Sequence, residues 1–107
     1  QGSQVILESV NSYLNSIDKK RINPDEVIFI DDYILNGYGT YNNRMLEIIK
    51  EVLIKEGIPL DTTYTGKAYW GMTEYIKKYN IQNKKILFIH TGGTPLFFDD
   101  LGELYNG

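Results

Sequence analysis

Apolar residues along this chain recur with two different periods, and each change of period marks the border of an element. Ile6, Val10, Tyr13, Leu14 and Ile17 follow one another at spacings of four, three, one and three, which predicts an amphipathic helix that stops near Asp18. Asn23 and Pro24 signal a turn. Val27, Ile28, Phe29 and Ile30 are then continuously apolar and bounded by charges, the pattern of a short buried strand. Asp31 and Asp32 close it, and Asn36, Gly37 and Gly39 make a loop that carries Tyr38. A second helical stripe, Met45, Ile48, Ile49, Val52 and Leu53, follows a cap at Asn42 or Asn43 and ends at Gly57, a residue suited to the left-handed position beyond a helix. Ala68, Tyr69, Met72, Tyr75, Ile76 and Tyr79 predict a third helix, from near Thr65 to about Tyr79. Ile86, Leu87, Phe88 and Ile89 form a second continuous run, predicted as a strand, and it leads into His90, Thr91, Gly92 and Gly93. The tail holds Pro95, Leu96, Phe97 and Phe98, and loose chain is expected beyond Asp100.

The order helix, strand, helix, helix, strand predicts an α/β fold: a partial three-layer sheet-and-helix unit whose strands are buried on both faces. Ligands of such sheets bind beyond the strand C-termini. Parallel strands would bring the loops 31–38 and 90–94 to one edge, beside the start of the third helix. Two strands make a poor sheet, because both edges carry unpaired backbone groups. The reading therefore expects a missing part, either the rest of a larger enzyme or a second chain. Gln1, Gly2 and Ser3 are read as the remnant of an expression tag, and 4–107 as a single α/β unit.

Composition narrows the partners. At 107 residues and a net charge of −3, the chain has one core at most. It also lacks the basic surface that nucleic acid or an anionic membrane requires. Lys19, Lys20 and Arg21 form a run too short to change that, and read as a solvated helix end or loop. No apolar run reaches membrane-spanning length, and no secretory signal pattern stands out. The absence of cysteine removes disulfide and thiolate chemistry and fits a cytoplasmic protein.

The stretch 61–71, DTTYTGKAYWG, carries the candidate chemistry. Hydroxyls and a carboxylate precede Gly66, and helical spacing follows it, so a polar loop feeds a helix N-terminus, where ligands bind. Thr65 is placed to cap that helix. Its hydroxyl also has one proton to donate, and could point it at the basic nitrogen of a bound ring. Gly66-Lys67-Ala68 is not the end of a phosphate-binding P-loop, which needs a glycine where Asp61 stands and a hydroxyl where Ala68 stands. His90 is the only histidine, which excludes a multi-histidine metal site, and no metal is expected. Asp31 and Asp32, adjacent on a strand, would face opposite sides and form no acid–base dyad.

Several blocks, in order, resemble one family. Asp31-Asp32-Tyr33, Gly37-Tyr38-Gly39, Glu56-Gly57, Tyr64-Thr65-Gly66-Lys67-Ala68 and ILFIHTGGTP over 86–95, with the 26-residue step from Tyr38 to Tyr64, are similar to the C-terminal third of the pyridoxal-phosphate enzymes that include D-cysteine desulfhydrase and aminocyclopropane-carboxylate deaminase. That family has the tryptophan-synthase-β-like fold. The resemblance implies that Tyr38 and Tyr64 face an amino-acid substrate and that Thr65 meets the pyridine nitrogen of the cofactor. Gly66, Thr91 and Gly92 would be its neighbours in the cofactor site. Deaminase members carry glutamate at the Thr65 position and leucine at the Thr91 position, and the two threonines here match the desulfhydrase pattern.

A neutral hydroxyl at the ring nitrogen gives a weaker electron sink than a carboxylate. This suits α,β-elimination with a thiolate leaving group better than opening a cyclopropane. The family's Schiff-base lysine and phosphate loop have no counterpart in this sequence, and Lys67 is not that lysine. The expectation is a C-terminal portion of a D-cysteine desulfhydrase-like lyase, inert alone. The alternatives are a portion of a deaminase of the same family and a non-catalytic α/β module that completes a sheet with another chain. A homodimer built by strand pairing is a further option.

Overall fold

A computed structural model describes residues 2–33 and 41–106, with side chains as far as residue 102. Its elements are helix α1 (Gly2–Ser16), a 3-10 turn (Pro24–Glu26), and helices α2 (Asn43–Glu56), α3 (Thr65–Lys78) and α4 (Thr94–Asn106). The chain divides into two compact units, 1–31 and 32–107.

In the first unit α1 forms as expected and buries a different face. Leu7 and Asn11 are buried and Leu14 is half-buried, whereas Ile6, Val10, Tyr13 and Ile17 are exposed. A polar anchor decides the face. The Asn11 amide donates to the Ile22 carbonyl at 3.1 Å and accepts from the Ile22 N–H at 2.8 Å, which ties the following segment over the 7/11/14 stripe. Asp18 ends the helix in the left-handed region at φ 59°, and the Lys19 N–H closes the end on the Leu14 carbonyl at 2.8 Å. Gly2 and Ser3, set aside as a tag remnant, are helical.

The second unit packs α2 on α3. Its core is Met45, Ile48, Ile49 and Val52 of α2, with Leu60 and with Phe97 of α4. Here the periodicity gives the stripe correctly, with Leu53 at its half-buried margin. Asn42 caps α2 by accepting from the Met45 N–H at 2.8 Å. Gly57 ends it at φ 68°, a conformation glycine adopts without a Cβ penalty.

The α/β sheet-and-helix unit is not what the chain forms. Among the described residues there is no strand, and the architecture is helical. Neither apolar run belongs to a ladder. Val27 has an extended backbone at φ −100° and ψ 114°, and no described residue of either run turns helical. An extended segment has no partner within itself for its N–H and C=O groups, so a ladder needs a second strand. The runs 27–30 and 86–89 fall in different units, and burial is achieved by packing helix on helix. The runs stay open to solvent, with Ile28 68%, Leu87 85% and Ile89 70% exposed. The tail differs as well. Beyond Asp100 it continues as α4, with Pro95 in the first turn, where a missing N–H costs nothing, and Phe97 anchored in the core.

Ile49→Ala, at a fully buried position, should lower the unfolding free energy by about 3 kcal/mol. Ile54→Ala, at an exposed position of α2, should leave it within about 0.5 kcal/mol. Urea titration of both variants checks the pair of outcomes.

Candidate functional site

The turn that starts α3 is built around one carboxylate. Asp61 is fully buried, and its two oxygens receive four hydrogen bonds. Oδ2 accepts from the N–H groups of Thr63 at 2.8 Å and Tyr64 at 2.7 Å. Oδ1 accepts from the Thr65 N–H at 3.0 Å and the Thr65 hydroxyl at 2.6 Å. These are the donors that a helix N-terminus leaves unpaired, and a negative charge there also meets the positive end of the helix dipole. Burial alone raises the carboxyl pKa of Asp61. The hydrogen bonds from the Thr65 hydroxyl and from the backbone of Thr65, Tyr64 and Thr63 outweigh burial, and the net shift is downward from the ordinary value.

The cap therefore lies four residues before Thr65. The Asp61 N–H donates to Thr65 Oγ1 at 2.9 Å, so the Thr65 hydroxyl accepts from Asp61 and also gives Asp61 its only proton. A ring nitrogen seeking that proton would compete with a buried carboxylate. Thr65 is 1% exposed. Gly66 is buried beside it, and its N–H donates to the Asp61 carbonyl at 2.8 Å. A Cβ on Gly66 would run into that carbonyl and lie 2.8 Å from Ile49 Cδ1, so glycine is needed for α3 to approach α2. Lys67 is also buried. Its burial lowers the ammonium pKa, while the charge of Asp61 pulls the other way.

The second motif block comes to the same place. His90 Nε2 lies 2.8 Å from the Pro59 carbonyl and Nδ1 accepts from the Gly92 N–H at 3.1 Å. This makes Nε2 the protonated nitrogen, with both ring nitrogens engaged by backbone. Gly93, at φ 83°, passes so close to Asp61 that a Cβ there would collide with Oδ1 and come within 2.8 Å of Cγ. Asp100 of α4 accepts at Oδ2 from the Thr62 N–H at 2.9 Å and the Thr62 hydroxyl at 3.0 Å. The turn 59–66, the loop 90–93 and the first half of α4 are thus stitched together.

Of the residues singled out in the sequence, Thr65 and Gly66 lie in this cluster, and Thr91 and Gly92 lie in the loop tethered to it. Thr91 is exposed and Gly92 half-buried. Tyr64 is exposed at the start of α3, next to the buried Thr65. Tyr38 lies outside the described residues. The sequence reading did not single out Asp61 or Asp100. Asp61 had a usable signal, a carboxylate a few residues ahead of the apolar helical pattern; Asp100 is 38 residues from Thr62 and had none. Among the described residues no cluster of histidine and carboxylates could hold a metal, and no helix is long and apolar enough to cross a membrane. An open groove further along α3 is bounded by Tyr33, Trp70, Glu74, Lys77 and Lys78; Tyr33 is the motif residue on its wall.

Asp61→Ala should cost about 2–4 kcal/mol, because it removes the cap and strands the N–H donors in a dry site. The pH dependence has a definite sign. With its folded pKa held down, Asp61 stabilises fully above the ordinary carboxylate range, near pH 4, and that contribution is lost as pH falls through the folded value. Asp61→Asn should be less stable at neutral pH and should lose this part of the acid limb, as read by urea midpoints across an acid pH series. No family model matches the chain and no solved structure matches it, so the resemblance rests on its motif blocks alone.

Proposed function

We propose that this chain is the C-terminal portion of a pyridoxal-phosphate-dependent lyase of the D-cysteine desulfhydrase type, and that it is inert by itself. The full enzyme converts D-cysteine and water to pyruvate, hydrogen sulfide and ammonia. One observation carries the reading. Two of the five motif blocks that resemble the family, 64–68 and 86–95, are far apart in sequence, and both are fixed to the turn at Asp61.

When bound, pyridoxal phosphate supplies the electron sink for loss of the Cα proton and the β-substituent. Exposed Tyr64 is the phenol of this chain placed to orient an amino-acid substrate. Positioning, rather than proton abstraction, is its role. Thr65 and Asp61 hold the start of α3 rigid beneath it. By the resemblance, threonine rather than glutamate at Thr65 and threonine rather than leucine at Thr91 go with elimination rather than the deaminase reaction.

Two measurements test this. Mixing the chain with pyridoxal phosphate, reducing with borohydride and mapping the adduct by mass should give no adduct, or low adducts scattered over exposed lysines. A stoichiometric adduct on one lysine would sink the inert-portion reading. A longer product of the same coding sequence, carrying an upstream lysine, should release sulfide from D-cysteine, and Tyr64→Phe should lower kcat at least about tenfold. Failure of that product to form sulfide would remove the lyase assignment.

A further inference from the structure

The largest physical anomaly in the molecule lies outside the loop cluster. The runs 27–30 and 86–89 are outside every helix, apolar and open, with Ile86, Leu87, Ile89, Ile28, Phe29 and Ile30 all exposed. Along 86–89 the side chains alternate. Phe88 packs edge-on against Tyr69 at 5.3 Å between ring centroids, while Leu87 and Ile89 point away from that contact and are left in water. Backbone edges without partners beside apolar side chains form a template for strand addition.

The flanking charges say what fits. Lys84 and Lys85 precede one run, and Asp31 and Asp32 follow the other. Laid antiparallel, Lys84 meets Asp32, Lys85 meets Asp31, and Ile86, Leu87, Phe88 and Ile89 meet Ile30, Phe29, Ile28 and Val27. Every charge then faces its opposite and every apolar residue faces another, the pairing that stabilises antiparallel strands. The Val27 N–H is already given to the Pro24 carbonyl, so the hydrogen-bonded pairs of the ladder are Ile28 with Phe88 and Ile30 with Ile86. Asp25 and Glu26 would offer the same charges to a parallel partner, but they sit in the 3-10 turn. The Glu26 carboxylate is also occupied by the Asn23 N–H at 2.7 Å.

We propose that the occupant of these runs is a second copy of this chain: 27–32 of each copy adds antiparallel to 84–89 of the other. The exchange is reciprocal, so each copy gives one run and receives one, and the assembly closes as a two-fold dimer with no free run. The inference uses none of the loop-cluster residues, and it concerns this chain by itself, without the further part that the lyase assignment calls for.

The test is a charge swap on the intact chain, followed by light-scattering mass across a concentration series. All positions changed are exposed, and circular dichroism confirms an unaltered helical signal. The unmodified chain should run at twice its 12.3 kDa mass, with slowed hydrogen exchange at Ile28, Ile30, Ile86 and Phe88. Leu87→Lys, the Lys84→Asp/Lys85→Asp variant and the Asp31→Lys/Asp32→Lys variant should each weaken the dimer at least tenfold. An equimolar mixture of the two charge variants should restore it, because both ladders of the mixed pair are again complementary. A monomeric mass at every concentration would overturn the proposal, as would a dimer indifferent to these changes, open-ended aggregates, or a mixture that fails to associate. Loss of the dimer on reversing Asp25 and Glu26, but not Asp31 and Asp32, would overturn the antiparallel register.

Discussion

A carboxylate in a dry interior must be saturated with donors, and in this protein the donors that saturate Asp61 are the start of a helix. The backbone of Thr63, Tyr64 and Thr65 and the Thr65 hydroxyl all turn toward it, and none of those groups would have an intrahelical partner otherwise. The rest of the second unit follows from holding that turn in place. Gly66 must lack a side chain because the turn brings it against the Asp61 carbonyl and Ile49. Gly93 must lack one because the loop 90–93 is drawn over the same carboxylate. Asp100 then fixes α4 to the turn through Thr62, and this orders a C-terminal segment whose sequence reads as loose.

The same network bears on chemistry. A threonine hydroxyl at a helix start can accept as a cap and still donate, but its one proton goes to a single acceptor at a time. In this arrangement the proton belongs to Asp61. A rigid, hydrogen-bonded turn is nevertheless a suitable base for positioning a neighbouring side chain. The exposed phenol of Tyr64 is the group that the turn carries outward. Gly66 and Gly93 are explained by packing alone, so their presence is weak evidence for a cofactor. The two motif blocks meet through contacts such as His90 to Pro59.

How much could be read from the sequence varied with how local the determinants are. Helix α2 was legible throughout, because its cap at Asn42, its stripe and its stop at Gly57 are all local. In α1 the period was right and the face wrong: Asn11 reads as polar and therefore outward, yet its amide matches the backbone of Ile22 and is buried for that reason. Both apolar runs were expected to be buried strands, and neither is a strand or buried, because strand character is local whereas strand pairing is not. Helix α4 was missed because its anchors, Phe97 in the core and Asp100 on Thr62, are tertiary. At the candidate site the stretch 61–71 was recognised as central, while the residue that organises it was read as one polar group among several.

The charges beside the open runs also bear on what the chain avoids. Identical runs stacked parallel and in register, the arrangement that grows without limit, would place Lys84 and Lys85 against their own copies, and likewise Asp31 and Asp32 against theirs. Like charges directly opposite destabilise a ladder. Complementary runs carry no such penalty, and because each chain holds one run of each kind, two copies are enough to match all of them. The charges that flank these segments thus act as gatekeepers against self-stacking, and the only ladder within the chain's own sequence that leaves all of them matched is the antiparallel exchange between 27–32 and 84–89.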